Sequence, residues 1–162
     1  MAQDYRYISE NTLQYVYLHD CDCSHLCYLE GRLIFVMEWM EILREHPLNP
    51  FGQAHQTGAG RIELIHPKIV ECTLAMRGDG EIQRVCDVRK MDYSALECLK
   101  CEETCLKDGD SCTTEKADVY CADCYMLFDR DSCYYDLSMR VEYAKSLVMW
   151  DAFHDMSWFE RE

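Results

Sequence analysis

The sequence predicts a mainly β or α+β domain, built from antiparallel hairpins and carrying an irregular cysteine-rich insertion over residues 93–132. Three observations carry that prediction. First, Tyr135, Leu137, Met139, Val141 and Tyr143 alternate with Asp136, Ser138, Arg140 and Glu142, the period-two pattern of a half-buried strand. Second, Leu29-Glu30-Gly31-Arg32 and Arg77-Gly78-Asp79-Gly80 are turn sequences placed between apolar runs. Third, the segment from Arg61 to Met76 is rich in β-branched and aliphatic residues, with Ile62, Leu64, Ile65, Ile69, Val70 and Leu74 interrupted by Pro67.

In chain order, residues 15–27 place Tyr15, Tyr17, His19, Cys21, Cys23, His25 and Cys27 on one parity, which suits a strand. That run is long for one strand, so a bulge or bend is expected near His19-Asp20. Gly31 then supplies the permissive backbone of a hairpin turn into residues 32–43. In that segment Leu33, Val36, Met37 and Met40 also fit a helical stripe, and strand is preferred. His46-Pro47-Leu48-Asn49-Pro50 ends the element, because neither proline can continue a ladder, and a loop is expected to Gly60. Near the end of the chain, Ala144-Lys145-Ser146 is expected to turn the last clean strand into Leu147–Trp150.

At 162 residues and 49% hydrophobic, the chain can bury one substantial core, and a single domain over residues 1–162 is expected. The formal charge is −14, from 30 acidic and 16 basic side chains. Such a surface repels phosphate backbones, which disfavours direct nucleic-acid binding, and it attracts a basic patch on another protein. The N-terminal residues Met1-Ala2-Gln3-Asp4-Tyr5-Arg6 show no basic stretch followed by an apolar core, so a cytoplasmic location is expected. The longest apolar run, Leu33 to Met37, falls far short of the roughly 20 residues that span a bilayer, so no membrane association is expected.

With 12 cysteines and no export signal, metal ligation or reduced thiols are favoured over a disulfide framework. Cys98-Leu99-Lys100-Cys101 and Cys121-Ala122-Asp123-Cys124 are two C-x-x-C pairs at a separation that suits a four-cysteine zinc site. Cys98, Cys101, Cys121 and Cys124 are therefore the candidate ligands of a structural zinc. Against this, twelve acids and four bases lie between Asp92 and Asp136, and four thiolates around a dication would add negative charge without a cationic cluster to offset it. Inert cysteines acting as small hydrophobes, and disulfide or redox chemistry at C-x-x-C, stay open. The His19/Cys21/Cys23/His25/Cys27 face is a second candidate ligand set, but alternate residues of one strand lie roughly 6–7 Å apart. Core packing with a hydrogen-bonded histidine is the simpler account of it. His19 beside Asp20 would suit proton transfer, yet no nucleophile is placed relative to them.

No phosphate-binding glycine loop, H-E-x-x-H or G-x-S-x-G is present, and Gly58-Ala59-Gly60 lacks the third glycine of a dinucleotide fingerprint. No enzymatic chemistry has an anchor. His46, His55, His66 and His154 are scattered in polar or turn contexts where exposure is expected. Trp39, Trp150 and Trp158 join eleven tyrosines in a large aromatic load. Trp150-Asp151-Ala152-Phe153 and Ser157-Trp158-Phe159 either cap the core or leave an exposed partner-binding patch.

Tyr17-Leu18-His19-Asp20-Cys21, Val148-Met149-Trp150-Asp151 and Ser157-Trp158-Phe159-Glu160 resemble phrases of small β-rich bacterial proteins, some of them immunity proteins. The resemblance covers only these segments and leaves out the cysteine-rich stretch. It implies a β-sheet domain that binds another protein. The expected function is thus non-enzymatic: an acidic protein that binds, and in the immunity-type case inhibits, a basic partner such as a toxin or nucleic-acid enzyme. A zinc-stabilised module and a thiol redox or metal-handling protein are the alternatives.

Overall fold

A computed structural model describes residues 4–76, 83–85, 92–95, 99–104, 115–126 and 135–161. The strands in chain order are β1 (Tyr7–Glu10), β2 (Val16–Tyr17), β3 (Cys23–Leu29), β4 (Arg32–Met37), β5 (Glu41–Ile42), β6 (His55–Thr57), β7 (Gly60–Ile65), β8 (Lys68–Met76), β9 (Gln83–Val85), β10 (Asp92–Ala95), β11 (Leu99–Thr104), β12 (Glu115–Met126), β13 (Tyr135–Tyr143), β14 (Lys145–Trp150) and β15 (Phe153–Met156). The fold is mainly β and antiparallel. Among the described residues, helical structure is confined to the 3₁₀ turns Leu13–Tyr15 and Trp158–Glu160, and no helix is long and apolar enough to cross a membrane.

The larger sheet runs β1-β14-β7-β4-β3-β10-β12-β13-β8-β9, with β11 on β12. Two kinked strands organise it. Lys145 pairs with Ile65 and Glu142 with Lys68, so the β14/β7 and β13/β8 ladders share one register through Ala144 and His66-Pro67. The Ala144 N–H donates to the Ile65 carbonyl at 3.0 Å, holding the kink closed. Because β13 leads into β14 in this way, the circuit β14-β7-β4-β3-β10-β12-β13 returns to the strand where it began, and the ladder closes on itself. Ala144-Lys145-Ser146 therefore kinks the chain and does not reverse it. Pro67 sits at the bend, where its missing N–H costs no ladder bond.

Alternation sorts the side chains. Val148, Ile62, Phe35 and Leu26 stand opposite one another across β14, β7, β4 and β3, and all four are buried in the core cluster. Ala117, Val119, Leu137, Met139 and Val141 of β12 and β13 join the same cluster. Facing the other way, Leu147, Glu63, Ile34 and Cys27 form an outer row. There the buried Glu63 carboxylate accepts from Arg32 Nη1 at 2.5 Å and lies 2.7 Å from Arg61 Nε, an ion-pair contact that lacks hydrogen-bond alignment. Two guanidiniums on one carboxylate compensate its desolvation.

Local chemistry explains the turns. Glu30 and Gly31 both have positive φ, 51° and 73°, the backbone of the tight β3–β4 hairpin, as the turn sequence predicts. The expected bend falls at Asp20, with φ 62°, and splits residues 15–27 into β2 and β3. The second strand of that hairpin is indeed a strand, ending at Met37 with a short continuation in β5. The predicted 47–60 loop is interrupted by β6. Residues 93–132, expected to be irregular, contribute β10, β11 and the twelve-residue β12 to the sheet. Thr73, Leu74 and Ala75 pair with Val85, Arg84 and Gln83, the predicted hairpin around 77–80; that turn itself lies outside the described residues.

The second sheet, β15-β6-β5-β2, is four short strands flanking Trp150. Gly60 joins the two sheets. A Cβ there would lie 2.7 Å from the Met149 carbonyl oxygen and closer still to Met40 Cε. The carbonyl belongs to a strand and has no room to yield. Gly60→Ala is expected to destabilise by about 1–3 kcal/mol, read as a lower denaturant midpoint at unchanged slope.

Candidate functional site

Backbone and side-chain hydrogen bonds hold the C-terminal turn. The Ser157 N–H donates to the Ala54 carbonyl at 2.9 Å, the Ala54 N–H to Glu160 Oε1 at 3.1 Å, and Arg161 Nε to the Met156 carbonyl at 3.0 Å. The Ser157 hydroxyl donates to Glu41 Oε2. Ser157 and Glu41 are consequently buried, the latter at 1% exposure. With Ser157 turned inward at φ −53°, ψ 146°, the next two side chains face outward. Trp158 is 51% and Phe159 38% exposed.

These rings meet a third. Tyr17, at 38% exposure, projects from β2 opposite Glu41 of β5 and contacts Phe159 edge-to-face, with centroids 5.2 Å apart at 75°. Trp158 and Phe159 meet at 5.4 Å and 87°. His19 lies 5.9 Å from Tyr17, and its Nε2 is 3.3 Å from Asp20 Oδ2. The three large rings thus form two adjacent near-right-angled corners open to solvent. We call this the aromatic ledge.

Its surroundings are acidic. Asp20 and Glu38 are exposed at the β2–β3 bend, where the Glu38 N–H donates to the Asp22 carbonyl. Burial, then the charge of Glu38, push the Asp22 carboxyl above its ordinary range. Asp155, exposed, and Glu160, half-buried, bracket Trp158 and Phe159 in the sequence. The nearby cations are engaged: Arg161 Nη2 is 3.9 Å from Asp155 and Arg44 Nε 2.9 Å from Glu45. Beneath, burial raises the Glu41 carboxyl, an effect the Ser157 hydroxyl, Arg161 and His55 partly offset. Glu41→Gln keeps an acceptor for Ser157 while removing the buried charge, so neutral-pH stability is expected to hold or rise. Glu41→Ala strands the Ser157 hydroxyl and is expected to cost about 1–3 kcal/mol by chemical denaturation.

No family model, curated protein or solved structure matches the chain.

Of the predicted patch, one half caps the core and the other is exposed. Trp150 is fully buried, stacked on Tyr7 at 5.2 Å, whereas Trp158 and Phe159 form the ledge. Of the candidate zinc ligands, Cys98 lies outside the described residues. Cys101 pairs with Val119 and Cys121 with Leu99, so Cys101 and Cys121 sit diagonally across β11 and β12; Cys124 pairs with Ala95 and Tyr135 beyond a register shift. Among the described residues no cluster of three or more His, Cys, Asp or Glu side chains is placed to hold a metal.

The histidine–cysteine face is split. The register shift between Cys23 and His25 is a bulge, so Cys23 faces the core opposite Met37 while His25 and Cys27 pair with Val36 and Ile34 on the outer side. Cys21 and Cys23 are fully buried, their thiols directed at the backbone carbonyls of Tyr17 and His25. His66 and His154 are exposed as expected. His46 is not: it is 2% exposed, accepts the Leu48 N–H at Nδ1 and lies 3.0 Å from Thr12 Oγ1 at Nε2. Its position beside two prolines concealed this, because composition does not reveal that the loop folds back onto Trp150.

Proposed function

We propose that this chain is a non-enzymatic, acidic protein-binding domain that engages a basic protein through the aromatic ledge, in the manner of an inhibitor or immunity protein. The observation that carries the proposal is the joint exposure of Trp158 and Phe159, on a turn pinned by Ser157 and Glu41, and of Tyr17 beside them on β2, in a chain of charge −14. Large aromatic side chains are the commonest anchors of protein interfaces, and holding them in place before binding reduces the entropy lost on association. The carboxylates around the ledge would attract a positive partner, speed its encounter and disfavour acidic ones.

Site-specific photocrosslinking tests this. A photoreactive phenylalanine at position 159 is expected to capture a protein of high isoelectric point, whereas the same group at Val70, an exposed position on β8, is expected not to. The purified partner must then bind with an affinity that falls steeply with salt. Capture of an acidic protein, or salt-indifferent binding, would count against the proposal.

A structural zinc is the second reading, favoured by the diagonal placement of Cys101 and Cys121 on adjacent strands. It predicts one zinc per chain by elemental analysis and about four thiols shielded until chelator is added. Metal-free protein with freely titrating thiols would remove it without touching the ledge.

A further inference from the structure

We infer that the two corners of the aromatic ledge take the guanidinium of an arginine side chain carried by the bound protein. This rests on the protein-binding reading and specifies which chemistry the ledge recognises. Ring faces carry negative quadrupole density, and a cation within about 6 Å of a centroid is attracted to them. At the ledge, Tyr17 and Phe159 meet at 75° and Phe159 and Trp158 at 87°. A flat ion stacked on one ring of a corner would point its edge at the neighbouring ring or past it towards carboxylate.

Arginine fits this arrangement better than lysine. Its guanidinium is planar and weakly hydrated, so it stacks at small desolvation cost while its N–H groups stay free to donate. Asp20, exposed and joined to the ledge through His19 and Tyr17, supplies an acceptor beside the rings. The local cations Arg44 and Arg161 are turned to Glu45 and Asp155 and are not seated in the corners. The chain shows the same chemistry internally, where the Arg6 guanidinium carbon lies 5.5 Å from the Tyr7 ring centroid. An anionic or purely aliphatic segment would forgo both the carboxylates and the ring faces.

The test uses the full chain and matched short peptides on a glycine–serine frame bearing arginine, lysine or glutamate, titrated by calorimetry and by tryptophan fluorescence. The arginine peptide is expected to bind about threefold or more tightly than the lysine peptide, and the glutamate peptide not at all. Trp158→Ala and Phe159→Leu, both at exposed positions, are expected to erase the arginine preference while leaving circular dichroism and the thermal midpoint unchanged. Equal affinity for arginine and lysine, or an arginine preference that survives both substitutions, overturns the inference. In either case salt-sensitive cation binding would leave the broader acidic-domain reading standing. If neither cationic peptide binds at low salt, both fail together.

Discussion

Replacing Trp150 with alanine is expected to lower stability by about 3–5 kcal/mol, the range for deleting a large buried aromatic side chain. Trp150 is fully buried at the junction of the two sheets. Its ring stacks on Tyr7 at 5.2 Å, meets Phe153 edge-on at 5.5 Å and touches His46 at 5.2 Å. Its backbone pairs with Tyr7 on one side and Gly60 on the other. Removing the ring therefore opens a cavity walled by β1 of the larger sheet, β15 of the second sheet and the loop that carries His46, which cannot collapse together to fill it. For a chain of this length the loss corresponds to a fall in Tm on the order of 10 °C. A change below about 1 kcal/mol would mean that the second sheet does not depend on this residue for its attachment.

Acidification is expected to remove about 3 kcal/mol of stability through His46. Burial pushes this imidazole from 6.5 down to about 4. Because Nδ1 accepts the Leu48 N–H, the neutral ring carries its proton on Nε2 and donates to Thr12, whose hydroxyl in turn donates to Ser9 at 2.8 Å. A second proton has no site without expelling the Leu48 N–H. The sign follows from linkage: below about 6.5 the unfolded chain takes up a proton that the folded ring refuses until about 4, so stability is full above the window and declines through it as pH falls. Glu41 opposes this, since a raised carboxyl makes its folded form easier to protonate and relieves a cost as pH drops. The series is therefore best run in a Glu41→Gln background. Chemical denaturation between pH 7 and pH 4 should show the decline there, and His46→Gln should flatten it. An unchanged slope in the histidine variant would exclude His46 as its source.

Much of the fold was legible because period-two patterning is local. The alternation of Tyr135–Tyr143 is reproduced in burial, with Leu137, Met139, Val141 and Tyr143 all inward. Glu30-Gly31 turned where turn chemistry required, and the bend at Asp20 fell where an overlong strand needed one. What escaped was non-local. Nothing in Ala144-Lys145-Ser146 distinguishes a kink from a reversal; the difference is set by Ile65 across the ladder. Parity along residues 19–27 suggested one chemical face, and a single extra residue at the β3 bulge split it between core and exterior. The ledge was half legible: Trp158 and Phe159 stood out as aromatic residues near the end of the chain, but their exposure depends on Ser157 reaching Glu41, 116 positions away. Tyr17 as the third ring had no signal, since only folding brings β2 to the C-terminal turn.

The most direct test of the central claim is the affinity of the crosslinked basic partner for the native chain and for a Trp158→Ala/Phe159→Ala double variant, measured by calorimetry at low and high salt. The ledge account predicts a loss of about tenfold or more in the double variant at both salts, with the thermal midpoint unchanged, and salt weakening that persists in both proteins because the surrounding carboxylates remain. Undiminished affinity in the double variant would contradict it and place the binding surface elsewhere on the molecule.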